Sequence, residues 1–149
     1  MPMDVPRSLR RQAGEHAEDL TTEPRRVVYQ SEPAVNGLWA IGPHPRDRAA
    51  ILFLSGGWYA LSSPHARRKF AGHLALASRA RVLVPKYRLA PEHAFPSPVV
   101  DATRAYTWLL TQDVQANRTV VAGTPAEAVW QWPHCAISAI TICLYLAAR

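Results

Sequence analysis

Hydrophobic positions along this chain fall into short unbroken runs, separated by polar, proline-rich stretches and by two segments with helical spacing. Ala49-Ala50-Ile51-Leu52-Phe53-Leu54 is continuous and apolar and ends in Ser55-Gly56-Gly57. A run of that kind, without polar alternation, predicts an interior strand covered on both faces. Arg81-Val82-Leu83-Val84-Pro85 predicts a second buried strand, and Thr119-Val120-Val121-Ala122 a third. Between the first two, from Pro64 to Ser78, Phe70, Leu74 and Ala77 recur at helical spacing, with Arg67, Arg68 and Lys69 on the solvent side. Pro96 to Leu110 predicts a second helix, carrying Val99, Ala102, Tyr106, Leu109 and Leu110. Upstream, Val27-Val28-Tyr29 reads as a strand whose hairpin partner is Gly37-Leu38-Trp39-Ala40-Ile41, across a turn from Pro33 to Asn36. Strands alternating with helices at this spacing make a right-handed, mostly parallel α/β sheet with flanking helices the expected architecture.

The two ends differ from the middle. Residues 1–24 are charged and proline-flanked, with a short helical stretch from Arg7 to Leu20 and no strong apolar face, and read as an arm or cap helix. Residues 25–123 hold the periodic segments, and a compositional break near Thr124 opens a tail of residues 124–149. That tail contains Trp130, Trp132, His134, both cysteines, and the β-branched run from Ala136 to Leu144, which suits a strand better than a helix.

Composition narrows the class. The chain has 149 residues, 48% hydrophobic and 19% charged, which is a globular balance and excludes a disordered chain. A domain of this size typically buries about 68–70% of its extended surface. The net charge of +6 comes mostly from arginine, Lys69 and Lys86 being the two lysines among 17 basic residues. The basic residues stand in scattered pairs, Arg10-Arg11, Arg25-Arg26 and Arg67-Arg68, with no interleaved stacking aromatics, so a nucleic-acid partner is not expected. Cys135 and Cys143 lack metal-ligand spacing, and no metal is expected. Met1 to Asp19 has no apolar signal core, and no segment approaches the ~18 apolar residues of a membrane span, so a cytoplasmic protein is expected.

Acyl transfer needs a nucleophile, a base that activates it, an acid that orients the base, and N–H donors where the oxyanion forms. A glycine-rich loop after an early strand serves the last purpose, because the absence of side chains lets backbone approach a substrate carbonyl. Ser55-Gly56-Gly57-Trp58-Tyr59 sits in such a place, although a Gly-Gly after a strand is more often only a turn. Some thirty residues on comes Tyr87-Arg88-Leu89-Ala90-Pro91-Glu92-His93-Ala94-Phe95-Pro96. This long and specific segment closely resembles the signature of the hormone-sensitive-lipase-like α/β-hydrolases, and the resemblance extends over about residues 25–123.

The resemblance implies a partial α/β-hydrolase fold, cut at the nucleophile elbow, from a family that cleaves small-molecule carboxylic esters or lactones without metal or organic cofactor. It places the oxyanion hole on Gly56, Gly57 and Trp58, with Ser55 where the family has His. A backbone N–H survives any substitution but proline, so Trp58 removes no donor; it adds a Cβ and an indole, which would distort the loop or narrow the acyl pocket. Lys86 replaces the family's Asp before the Tyr-Arg pair. Tyr87, Arg88, Pro91, Glu92 and His93 then read as structural members of the signature, and His65 and His73 as exposed helix residues rather than bases. The family's elbow, Gly-Asp-Ser-Ala-Gly-Gly, aligns with Gly123-Thr124-Pro125, so the nucleophile position holds Pro125 and no catalytic residue can be assigned. The family's acid and base lie well over a hundred residues beyond the elbow. The strand ending at Gly123 is mid-sheet in the family, and as an apolar edge it would favour self-association.

Codon arithmetic offers a cause. Read one nucleotide earlier, Gly123-Thr124 permits Asp, Thr124-Pro125 permits Ser, and the next four junctions permit Gly. The unique Trp codon forces Ala at Trp130-Gln131, Val or Met at Gln131-Trp132 and Ala at Trp132-Pro133, and His134-Cys135 forces Leu. The neighbouring frame can therefore read Gly-Asp-Ser-Gly-Gly-Gly-Gly-Leu-Ala-Val-Ala-Thr-Leu, the family's elbow and following helix in register. A frameshift at or just before Gly123 is the expectation, arising in the gene, from a sequencing error or at a recoding site. The alternative is a non-catalytic binding module in which Trp58, Trp130 and Trp132 form an apolar ligand surface.

Overall fold

Ala50–Leu54 (β3) is buried along its whole length, as an uninterrupted apolar strand must be when both sheet faces are covered. The computed structural model describes residues 22–55, 64–88 and 92–123. Around β3 stand Val28–Glu32 (β1), Gly37–Ile41 (β2), Arg81–Val84 (β4) and Thr119–Gly123 (β5). They form one sheet in the order β1-β2-β4-β3-β5. β1 and β2 make an antiparallel hairpin with Gln30 opposite Trp39, and β2 also runs antiparallel to β4. β3 lies parallel to β4, Leu52 opposite Leu83, and parallel to β5, Leu54 opposite Gly123. The sheet is thus mixed: its parallel part is the β4-β3-β5 block, and the hairpin supplies the antiparallel part.

The hairpin turns through a 3-10 segment at Pro33–Val35. The Glu32 carboxylate accepts the Ala34 N–H at 3.2 Å, and Asn36 takes a left-handed conformation at φ 49°, which Asn tolerates well. Gly37 follows because nothing larger fits: a Cβ there would stand 2.8 Å from the Val84 carbonyl oxygen. The first strand runs on through Ser31 and Glu32, further than its apolar residues indicate, because backbone pairing with Leu38 and Gly37 carries it.

Two helices cover the faces. Arg68–Ser78 (α1) and Ser97–Leu110 (α2) occupy the two predicted helical segments. On one side Leu52, Leu54, Leu83 and Val121 pack with Ala102, Ala105 and Leu109 of α2. On the other, Ile51, Phe53, Val82 and Val84 pack with Ala71 and Ala75 of α1. The alternation of Leu52 and Leu54 against Ile51 and Phe53 follows from the period of two along a strand. Burying a leucine as fully as Leu52 or Leu83 contributes on the order of 1.5–3 kcal/mol.

The buried face of α1 differs from the expected one. Ala71, Gly72 and Ala75 are buried, while Phe70 is 48% exposed, Ala77 is exposed and Leu74 is half-buried. Small residues face the sheet because the helix lies close to it: a Cβ on Gly72 would meet the Tyr29 hydroxyl and stand 2.6 Å from Pro24 Cγ. Phe70 sits at the margin, its ring 5.0 Å from that of Phe53. Arg67, Arg68 and Lys69, expected on the solvent side, are half-buried. In α2 the expected Ala102 and Leu109 are buried, Val99 and Tyr106 are half-buried, and Leu110 is exposed. Among the described residues, no helix is long and apolar enough to cross a membrane.

Candidate active site

Two parallel neighbours, β3 and β5, finish level with each other at Leu54 and Gly123. The chain leaves β3 through Ser55-Gly56-Gly57 and leaves β5 through Gly123-Thr124-Pro125. Both segments therefore start from one edge of the sheet, the edge at the carboxyl ends of the parallel strands. Ser55 is buried, at 1% exposure. Gly56, Gly57, Trp58, Pro91 and Pro125 lie outside the described residues, as do Trp130 and Trp132.

The third strand of the parallel block, β4, ends at Val84 and continues as Pro85-Lys86-Tyr87-Arg88. Pro85 has no N–H, so it cannot extend the ladder to β3. Tyr87 is buried, and its hydroxyl donates to the Ser55 carbonyl oxygen. Arg88 turns the other way, onto α2. Its backbone N–H and Nε both donate to Asp101 Oδ2 at 2.9 Å, and its Nη2 donates to Asp101 Oδ1 at 3.0 Å. Such a bidentate, charge-assisted pair fixes orientation as well as distance. Burial pushes the Asp101 carboxyl up, but the hydrogen bonds from the Arg88 side chain and backbone, with the charges of Arg88 and Arg104, hold it below its usual range. The hydrogen bond and charge of Asp101 raise Arg88 in turn.

Glu92 and His93 are exposed and line a surface cavity of about 850 Å³ together with Lys86, Arg88, Asp101 and Trp108. Among the described residues, neither Ser55 nor Gly123 lines this cavity, so it lies beside the β3–β5 edge rather than at it. His73 is exposed on α1 with Nε2 3.0 Å from the Thr22 carbonyl oxygen, to which it donates. His65 is exposed in the turn before the same helix. The structure thus brings Tyr87 to Ser55 and Arg88 to Asp101, and places Arg88, Glu92 and His93 on the cavity wall. Asp101 was not among the residues singled out by motif. Its signal is present in the sequence: it is the one acidic residue in a helix of fourteen, directly downstream of an arginine-bearing signature.

A mixed sheet whose parallel block is covered by helices on both faces, β3 and β5 ending level at its carboxyl edge, defines an α/β protein of the doubly covered kind. The family described as alpha/beta hydrolase fold matches residues 51–127. The chain is 35% identical over 130 residues to an acetyl-hydrolase of Streptomyces hygroscopicus, an alignment covering 76% of this chain and 43% of that protein. It superposes on an esterase from the bacterial hormone-sensitive lipase family with a TM-score of 0.73 at 30% identity, covering 83% of this chain and 42% of the other. EstE5, in a crystal soaked with p-nitrophenyl butyrate, matches with a TM-score of 0.72 at 31% identity over 83% of this chain and 42% of that one. The chain belongs to the hormone-sensitive-lipase-like branch of the α/β-hydrolase-fold family. It spans about two fifths of the length of these relatives, 43% and 42% of the first two.

Proposed function

We propose that this chain carries the oxyanion-loop part of a serine hydrolase acting on carboxylic esters or lactones, and that the 149-residue polypeptide does not hydrolyse them by itself. The observation that carries the reading is the level ending of β3 and β5, Leu54 opposite Gly123. Acyl transfer needs N–H donors about 3 Å from the developing oxyanion and a nucleophile within reach of the same carbonyl carbon. Adjacent strands that end in register give the segments that follow them neighbouring starting points.

In this reading the backbone N–H groups of Gly56, Gly57 and Trp58 are the donors. Pro125, at the nucleophile position, offers neither a reactive side chain nor an N–H. The neighbouring reading frame supplies Asp and Ser at 124 and 125, and we take a frameshift near Gly123 as the origin of residues 124–149. The family match, ending at residue 127, is compatible with a change in that interval. In the product of the neighbouring frame, the serine oxygen adds to the acyl carbon while its proton passes to the base. The tetrahedral oxyanion collapses with loss of the alcohol, which takes that proton, and water then releases the acid from the acyl-enzyme by the same steps. The acetyl-hydrolase relative and the butyrate ester soaked into EstE5 support a short-to-medium acyl chain. The apolar composition of β5 supports self-association through its edge.

Purified 149-residue chain incubated with p-nitrophenyl acetate tests the inactivity. The expected rate equals that of a heat-denatured sample. Turnover that a serine-directed organophosphonate abolishes would overturn the reading.

A further inference from the structure

We propose that the cavity between the hairpin turn, the extension of β4 and α2 is a binding site for a small aromatic carboxylate, separate from the carboxyl ends of β3 and β5. Three stretches far apart in sequence make its walls: the 3-10 turn Pro33–Val35 with Asn36, the segment from Lys86 to Arg88, and one side of α2. On α2 the lining residues are Asp101, Arg104, Ala105 and Trp108, which follow the spacing of a single helix face. The volume of about 850 Å³ falls within the range of about 300–1,000 Å³ usual for small-molecule sites.

The core of the domain surfaces in this cavity. Ala105 is buried in the core cluster, and Val35 and Trp108 pack against that cluster while also lining the cavity. These three residues give it an apolar patch. Trp108 is only half-buried, so part of its indole is left for an aromatic ring to stack on.

Charged groups surround the patch and choose the sign of the ligand. Lys86, Arg88 and Arg104 are cationic, and Glu92 and Asp101 are the carboxylates. Asp101 is already met by Arg88, which donates to it from its backbone N–H and from its guanidinium. Arg104 stands near enough to Asp101 for its charge to act on that carboxyl, which places Arg104 beside the pair. With Arg88 and Asp101 offsetting each other, the exposed Lys86 and Arg104 face Glu92 as the one remaining carboxylate of the lining. One negative charge on the ligand makes that balance even. A carboxylate supplies it, with oxygens that accept charge-assisted hydrogen bonds from a lysine or an arginine. A cation would instead add to an excess of positive charge.

The test uses the 149-residue chain carrying 5-fluorotryptophan, titrated with sodium phenylacetate and followed by fluorine NMR, with the Trp108 resonance assigned from Trp108→Phe. The Trp108 resonance is expected to shift and to saturate with a dissociation constant on the order of 1 mM, while Trp39, in the core, stays in place. A Trp108 resonance that stays still, that moves no more than Trp39, or that is still moving linearly at about 50 mM would overturn the proposal. Benzyl alcohol, which keeps the ring and lacks the charge, is expected to bind about tenfold more weakly, and equal binding would overturn the choice of an anion. Lys86→Gln and Arg104→Gln change exposed side chains, and an unmoved Trp39 resonance reports that each variant has folded. Each is expected to weaken phenylacetate about tenfold. Arg118→Gln removes an exposed arginine outside the cavity lining and is expected to leave binding unchanged. An equal loss in Arg118→Gln would show attraction to net charge alone and overturn the site.

Discussion

The two edge strands of the sheet, β1 and β5, are built on opposite principles. β1, Val-Tyr-Gln-Ser-Glu, is largely exposed, carries polar residues at three of five positions and is tied to its neighbour by a tight hairpin. It has the composition of a natural edge, in which polar side chains discourage further pairing. β5, Thr-Val-Val-Ala-Gly, has no charge, is buried at Thr119 and Val121, and packs on both faces of the sheet through Val121 and Val120. That is the composition of an interior strand, yet among the described residues it has β3 alone as a neighbour. Composition therefore says which edge is a boundary, and the β5 edge is not one by its chemistry.

The contrast between interior and boundary is open to measurement, and the largest effect belongs to the interior. Leu83→Ala, in a strand with neighbours on both sides and at 0% exposure, is expected to cost about 2–5 kcal/mol in urea unfolding. Val28→Ala in β1, where Val28 is 56% exposed, is expected to stay within about 0.5 kcal/mol. Equal losses at the two positions would break the distinction. Next in size is an effect on association. Val120→Lys places a charge on β5 and is expected to reduce concentration-dependent association in sedimentation velocity several-fold, whereas Gln30→Lys on β1 leaves it unchanged. A wild-type chain that sediments as a monomer would contradict the role given to β5.

The smallest effect lies away from both edges, at the extension of β4. Asp101 is held below its usual range in the folded chain, and an unfolded aspartate titrates near pH ~3.9. The stability it contributes is fully present above that value and is lost as pH falls through the lower folded value. Acid unfolding followed from pH 6 downwards should therefore show a steeper loss in wild type than in Asp101→Asn. Parallel curves would contradict a stabilising Arg88–Asp101 pair.

What could be read in advance divides along physical lines. The three parallel strands were legible because continuous apolar runs such as Ala49–Leu54 have few other uses in a chain with alternating helices. The helix α1 was legible in place but not in face. Hydrophobicity favoured Phe70, Leu74 and Ala77, while close approach to Tyr29 and Pro24 selected Ala71, Gly72 and Ala75. Interhelix and helix–sheet distance is a tertiary quantity that periodicity does not carry. At the candidate site, Tyr87 and Arg88 were visible as parts of a motif, but their partners were not. Asp101 lies thirteen residues from Arg88 and the Ser55 carbonyl thirty-two from Tyr87. A backbone carbonyl leaves no mark in sequence, and a single aspartate in a helix gives no sign of what it faces.

The frameshift proposed at Gly123 places a serine-hydrolase elbow one nucleotide out of register. The nucleotide sequence of codons 123 to 135 tests it most directly. The frame beginning one nucleotide earlier is expected to spell Gly-Asp-Ser followed by glycines and Leu-Ala-Val-Ala-Thr-Leu. Codons that do not give Asp-Ser at positions 124 and 125 in that frame would contradict it.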